Sequence, residues 1–142
     1  MTLIEQYILQ NNFGKHLGMD FKIIDPGLVH YMLHIKQEHL ATPNSVHGGV
    51  LSALMDGLLG VTALSISSLE NNVVSTIEFK INFLNPSYLN DELIGIGKVV
   101  QKGNRLIIIG GDIVCPERNN MIIAKALGTF NTYPAEKAGY TI

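Results

Sequence analysis

A single cysteine, Cys115, is present in the whole sequence. No internal disulfide can form, and a reducing, cytoplasmic setting is the simple expectation. Charge is scarce as well. Charged residues make up 15% of the chain, against roughly 25% in an average soluble domain, while apolar residues reach 46%. That balance predicts that another subunit covers some of the surface. The formal net charge is −2 and the Lys and Arg residues are scattered, which excludes the basic footprint of a nucleic-acid binder. No basic stretch leads into a long apolar run at the start, where MTLIEQYILQ carries Glu5, so no signal peptide is expected. There is no repeat, low-complexity tract or linker. Residues 1–142 read as one domain, long enough to fold without staples. No Cys/His cluster has zinc spacing. His30 and His34 share one face of a strand but stand too far apart for an obvious metal site, and His16 and His39 are isolated. Neither a metal nor a cofactor is expected.

What the chain does have is one long apolar stretch, residues 48–68, with "NSVHGGVLSALMDGLLG" at its start. It is about long enough to span a bilayer. It also contains Asp56, Ser52, Thr62, Ser65, Ser67 and four glycines, and a charge near the centre of a spanning helix is costly. The stretch therefore reads as a helix buried in protein, apolar on nearly all sides.

The rest of the chain is organised around it. Leu3, Ile4, Tyr7 and Ile8 form a helical stripe over residues 3–11, which Gly14 and Gly18 break. Residues 19–24 and 29–35 read as strands joined at Asp25-Pro26-Gly27, a hairpin. Residues 37–46 form a polar loop. After the buried helix come four β segments, at 73–84, 93–101, 106–115 and 121–133. In the first, Ile77, Phe79, Ile81 and Phe83 face one way, while Thr76, Glu78, Lys80 and Asn82 face the other. Lys102-Gly103-Asn104 is a hairpin turn, Gly110-Gly111 suggests a bulge, and residues 134–142 form a loose tail. The expected class is α+β: an antiparallel sheet wrapped around one helix that is apolar on all sides.

The start of that helix is a candidate oxyanion site. Its first amides have no partner inside the helix, and the dipole favours negative charge there. Gly48 and Gly49 have no side chain to keep a ligand from the backbone. A backbone N–H so placed can stabilise the oxyanion formed when an acyl carbonyl is attacked, although Gly-Gly can also serve close packing alone. His47 can position a water or simply hold the loop. Asp56 stands among apolar neighbours, where a carboxylate is costly unless paired. It reads as a base or nucleophile acting on a carbonyl, or as a tertiary hydrogen bond to the sheet. Gly48 and Asp56 lie eight residues apart, roughly 12 Å along a helix and about 80° apart in facing. One carbonyl does not easily touch both in one chain. A two-fold dimer with antiparallel copies of the helix brings Gly48 of one copy to Asp56 of the other, twice.

His47-Gly48-Gly49, six residues, then Asp56 resembles the motif of hotdog-fold acyl-CoA thioesterases of the phenylacetate-degradation type. "STIEFKINFLNPS" (75–87), "KGNRL" (102–106) and "AKALGTF" (124–130) resemble later parts of the same family, so the likeness covers residues 15–132. It implies a five- or six-stranded sheet around the helix and a homodimer, usually a homotetramer built as a dimer of dimers. The implied reaction is hydrolysis of an acyl-CoA to free acid and CoA. In that reaction the Gly48 N–H polarises the thioester carbonyl, Asp56 of the partner subunit attacks it or activates water, and His47 orients the site. The assisting Ser or Thr of the family falls on Thr76, with Ser75 as the competitor, since strict alternation turns Thr76 away from the helix. Many members carry an asparagine where this chain has Ala41, and Asn44 can supply the missing amide or merely occupy a turn. Gly49, Lys102 and Arg105 are the candidate substrate-binding residues, the last two for the CoA phosphates. Residues 58–64 line an acyl pocket or belong to the core. A non-catalytic acyl-CoA-binding protein of the same fold is the alternative reading.

Overall fold

The computed structural model describes all residues, Met1–Ile142. Six strands form one antiparallel sheet around a central helix. The elements run α1 (Leu3–Gln10), α2 (Asn12–Leu17), β1 (Asp20–Asp25), β2 (Leu28–His34), α3 (Gly48–Ser67), β3 (Asn72–Phe83), β4 (Glu92–Lys102), β5 (Leu106–Cys115) and β6 (Met121–Pro134). The strand order is β1-β2-β4-β5-β6-β3. The expected α+β class and the expected wrapping of sheet around helix are both present.

Sequence chemistry accounts for the frame. A Thr2–Glu5 capping box starts α1 and satisfies amides that the helix itself cannot. Gly14 does not break the helical region, contrary to expectation. It lies inside α2, which Asn11 caps by accepting from the Gly14 N–H, and Gly18 ends that helix in the left-handed region. The β1–β2 hairpin turns at Gly27, whose φ is +85°.

The core is the α3–sheet interface. Leu54, Met55, Leu58, Leu59 and Ala63 are fully buried against Val29, Tyr31, Leu33, Ile107, Ile109 and Phe130. Two strand glycines set the closeness of the approach. A Cβ on Gly97 would stand 2.1 Å from Thr62 Oγ1, and one on Gly111 would stand 2.8 Å from Met55 Sδ. The Gly110-Gly111 pair is thus not a bulge. It pairs in register with Lys98 and Gly97, and the absence of a Cβ at Gly111 admits the helix. By length and hydropathy α3 passes as a membrane span, yet it forms the centre of this core.

The bulges lie elsewhere, and one of them matters for the site. The β3–β6 register shifts between Thr76 and Glu78. A bulge inserts one residue and reverses the alternation beyond it. Thr76 pairs with Phe130 and Phe79 with Gly128, so both face the helix, while Ile77 is pushed out and is 54% exposed. The unbroken alternation read for residues 73–84 fails at this point. The segment after β6 is not loose either. Ala135–Ala138 form a 3-10 turn, Ala135 is fully buried, and Tyr140 packs on the small cluster of Leu3, Leu64 and Val73.

Candidate functional site

The two motif groups lie on α3 beside two separate cavities. At its N-terminus, His47 is the N-cap. Its Nδ1 accepts from the Gly49 N–H at 2.7 Å, which takes that amide out of use. The Gly48 N–H donates to no group of the chain. Gly48 is exposed, and its nearest neighbour from outside the helix is the Phe83 ring, at ordinary contact distance from a hypothetical Cβ. Close packing therefore does not require glycine there. A cavity of about 390 Å³ opens beside it, lined by Ser45, Val46, Leu51 and residues 83–87.

The loop that presents Gly48 is braced from two sides. On one side the His47 N–H donates to the His39 carbonyl. His39 is buried; its Nδ1 accepts from the Lys36 N–H and its Nε2 donates to the Leu17 carbonyl. Those partners fix the neutral Nε2–H tautomer. On the other side the Val46 N–H donates to the Ser87 carbonyl, and the Leu89 N–H donates to the Asn44 carbonyl. The 84–91 loop is held in turn by Asp91. Its Oδ2 accepts from Ser87 Oγ at 3.1 Å, from the Tyr88 N–H at 2.8 Å and from Arg118 Nη2 at 2.5 Å. The Arg118 guanidinium also lies 4.8 Å over the Tyr88 ring.

Asp56 lies two turns along α3, half-buried. Its Oδ1 accepts from Thr76 Oγ1 at 2.7 Å. The bulge turns Thr76 inward and makes this contact, so Thr76 rather than Ser75 reaches the carboxylate. A cavity of about 320 Å³ runs inward from the pair, lined by Gly57, Gly60, Leu64, Phe130, Tyr133, Tyr140 and others. Leu58 and Leu59 belong to the core, whereas Gly57, Gly60 and Leu64 line the cavity, which divides the apolar segment that sequence left undecided. Tyr7 also lines it. Burial, with the charge of nearby Asp56 as a lesser cause, pushes the phenol of Tyr7 well above its ordinary range and raises that of Tyr31. Both hydroxyls therefore stay protonated at neutral pH.

Gly48 and Asp56 do not meet in one chain. α3 is a continuous helix, which keeps them roughly 12 Å apart along its axis, and no residue lines both cavities. The remaining predicted residues are placed apart from both. Asn44 sits in the Thr42–Ser45 turn, its Oδ1 accepting from Thr42 Oγ1 at 3.3 Å. Lys102 pairs with Glu70 at 3.1 Å, and Arg105 lies exposed on the β4–β5 hairpin. Nowhere do three His, Cys, Asp or Glu side chains converge. Sequence reasoning missed His39, Ser87, Asp91 and Arg118.

The thioesterase superfamily profile matches residues 43–122, which include both motif groups. A protein of Saccharolobus solfataricus described as an esterase is 31% identical over 114 residues, covering 79% of this chain and 78% of its own. The structure resembles the Escherichia coli PaaI protein of the phenylacetic acid degradation operon, with a TM-score of 0.83 and 21% identity over 92% of this chain and 90% of that one. It also resembles a hypothetical thioesterase of Streptococcus pneumoniae solved with coenzyme A, with a TM-score of 0.73 and 23% identity over 82% and 87% of the two chains. With the six-stranded sheet around α3 and the motif at its start, the chain belongs to the thioesterase superfamily of hydrolases and has its hotdog fold.

Proposed function

We propose that the protein hydrolyses acyl-CoA thioesters at two equivalent sites, each shared between two copies of the chain. The observation that carries this reading is Asp56: the one charged side chain of an otherwise apolar helix, held by Thr76 at the mouth of a cavity. The free Gly48 N–H supplies the complementary group. In each site the Gly48 N–H of one copy polarises the thioester carbonyl. Asp56 of the other copy, oriented by Thr76, takes a proton from water as its oxygen attacks the carbonyl carbon, or attacks that carbon itself. The C–S bond then breaks, and CoA leaves as the thiol once it has gained a proton. Direct attack by Asp56 gives a mixed anhydride that water then cleaves to the free acid and the carboxylate. Preorganised donors of the Gly48 kind are worth about 2.7–4 kcal/mol of barrier. His47 contributes indirectly: by capping Gly49 it fixes the helix start and leaves the Gly48 amide as the donor facing the cavity.

Two further features support a shared site. β3 is a twelve-residue edge strand with no neighbour on its outer side, a ready template for pairing with a second copy. Thr76 lies on it. Ser52, Ala53, Asp56, Gly57 and Gly60 form a stripe of α3 that the sheet leaves only half-covered, so a two-fold partner can bring its own Gly48 there. The solved relative from Streptococcus pneumoniae carries CoA, which supports a CoA thioester as the substrate class.

The test is thiol release from a panel of acyl-CoAs, wild type beside Asp56→Ala. The reading expects turnover that the substitution abolishes. Binding of the panel without release of thiol by wild type would instead favour a non-catalytic binding protein.

A further inference from the structure

Part of the lining of the Asp56 cavity comes from two terminal segments of the chain: Tyr7 of α1, and Ala138 and Tyr140 of the segment after β6. These segments are tied to each other across almost the whole sequence. Gln6 Nε2 donates to the Thr141 carbonyl at 2.7 Å, and Gln6 Oε1 accepts from the Thr141 N–H at 3.0 Å. The path of the chain into this clasp is specific. Ala135 is anchored in the small cluster with Leu3, Leu64 and Val73. Gly139 then takes a left-handed turn at φ +88°, and the Tyr140 N–H donates back to the Ala135 carbonyl at 3.2 Å. The reversal brings Tyr140 to the lining of the cavity and against the small cluster. At about 320 Å³ the space lies near the lower end of the roughly 300–1,000 Å³ usual for small-molecule sites.

We propose that this segment is the end wall of the acyl subsite: Tyr140, held in place by the Gln6–Thr141 clasp, limits the length of acyl group that reaches Asp56. The protein then hydrolyses short acyl thioesters and rejects long-chain ones. The inference rests on the acyl-CoA reading above. It adds a size limit set by residues outside the motif, and that limit can be moved without touching Gly48, Asp56 or Thr76. The clasp is exposed, so opening it leaves the main core intact.

The experiment compares kcat/KM for hexanoyl-CoA and dodecanoyl-CoA in wild type, Tyr140→Ala and Gln6→Ala. Wild type should prefer the short ester. Tyr140→Ala should lower the short-to-long ratio by about tenfold or more, and Gln6→Ala should shift it the same way by a smaller factor. Should Tyr140→Ala fail to fold, Gln6→Ala alone carries the comparison. A ratio unmoved in folded variants overturns the end wall while leaving the catalytic reading intact. If wild type hydrolyses neither ester, binding decides the wall separately from the catalytic reading. In that case the melting temperature of an Asp56→Asn chain should rise more with hexanoyl-CoA than with dodecanoyl-CoA. Adding Tyr140→Ala should remove that preference, and a preference that persists overturns the proposal.

Discussion

The two ends of the site are built in different ways. The Gly48 end is backbone: the group proposed to act there is an amide, and it is placed by a loop that hydrogen bonds hold from two sides. The Asp56 end is side chain: a carboxylate and a hydroxyl sit on regular elements, and one bulge brings them together. A backbone donor is lost only when the amide is removed or its loop moves. A side-chain pair is lost when either partner changes. Damage at the first end should therefore spread from distant bracing residues, whereas damage at the second should stay local.

The largest expected effect is at Asp56. Asp56→Ala should lower kcat by about 10²–10⁴-fold, the usual worth of a positioned base. Gly48→Pro should follow, at about 10²–10³-fold in kcat; proline is tolerated at the first helical position, so this variant removes the donor while keeping the helix. Next is Thr76→Val, which removes a hydrogen bond to a charged group worth about 1.5–3 kcal/mol. Turnover should fall by about tenfold or more, Thr76→Ser should restore it, and Ser75→Ala should leave it unchanged. Asp91→Ala makes the contrast sharper. It lies outside both cavities, yet it frees the 84–91 loop and strands Arg118, so melting temperature and kcat should fall together. Equal retention of activity in Asp91→Ala would show that the Gly48 loop needs no such bracing.

The smallest effect concerns pH. The folded chain holds the Tyr7 proton more tightly than the unfolded chain does. As pH rises through the ordinary tyrosine value of about 10, the unfolded state releases that proton first, which favours unfolding. Stability should therefore decline above about pH 10, and the decline should be shallower in Tyr7→Phe when melting temperature is followed against pH.

Periodicity and turn chemistry made most of the fold legible. The hairpin at Gly27, the buried α3 and the four later strands all follow from patterns of apolar residues and breakers. Asp56 and Gly48 were legible for the same reason: each is an exception within a regular element. Thr76 was legible only through the family resemblance; its facing was not, because a bulge leaves no mark in the alternation of Ile77, Phe79 and Ile81 and appears only when β3 pairs with β6. Gly110-Gly111 misled in the opposite sense. Strand glycines can mean a bulge or a close neighbour, and only the approach of Met55 and Leu59 decides between them. The His39–Leu17 and Asp91–Arg118 contacts span 22 and 27 residues, a relation that no local pattern records. The same holds for the segment after β6, whose Gln6–Thr141 clasp spans 135 residues.

In the proposed dimer one site takes Gly48 from one chain and Asp56 from another. This sharing is tested most directly by mixing Gly48→Pro and Asp56→Ala chains, unfolding and refolding them together, and measuring thiol release from an acyl-CoA. Each variant alone should be nearly inactive. Random pairing gives half mixed dimers with one intact site of two, so the mixture should recover about a quarter of wild-type activity. A mixture that forms mixed dimers yet stays as inactive as its components would place both groups in a single chain and contradict the account.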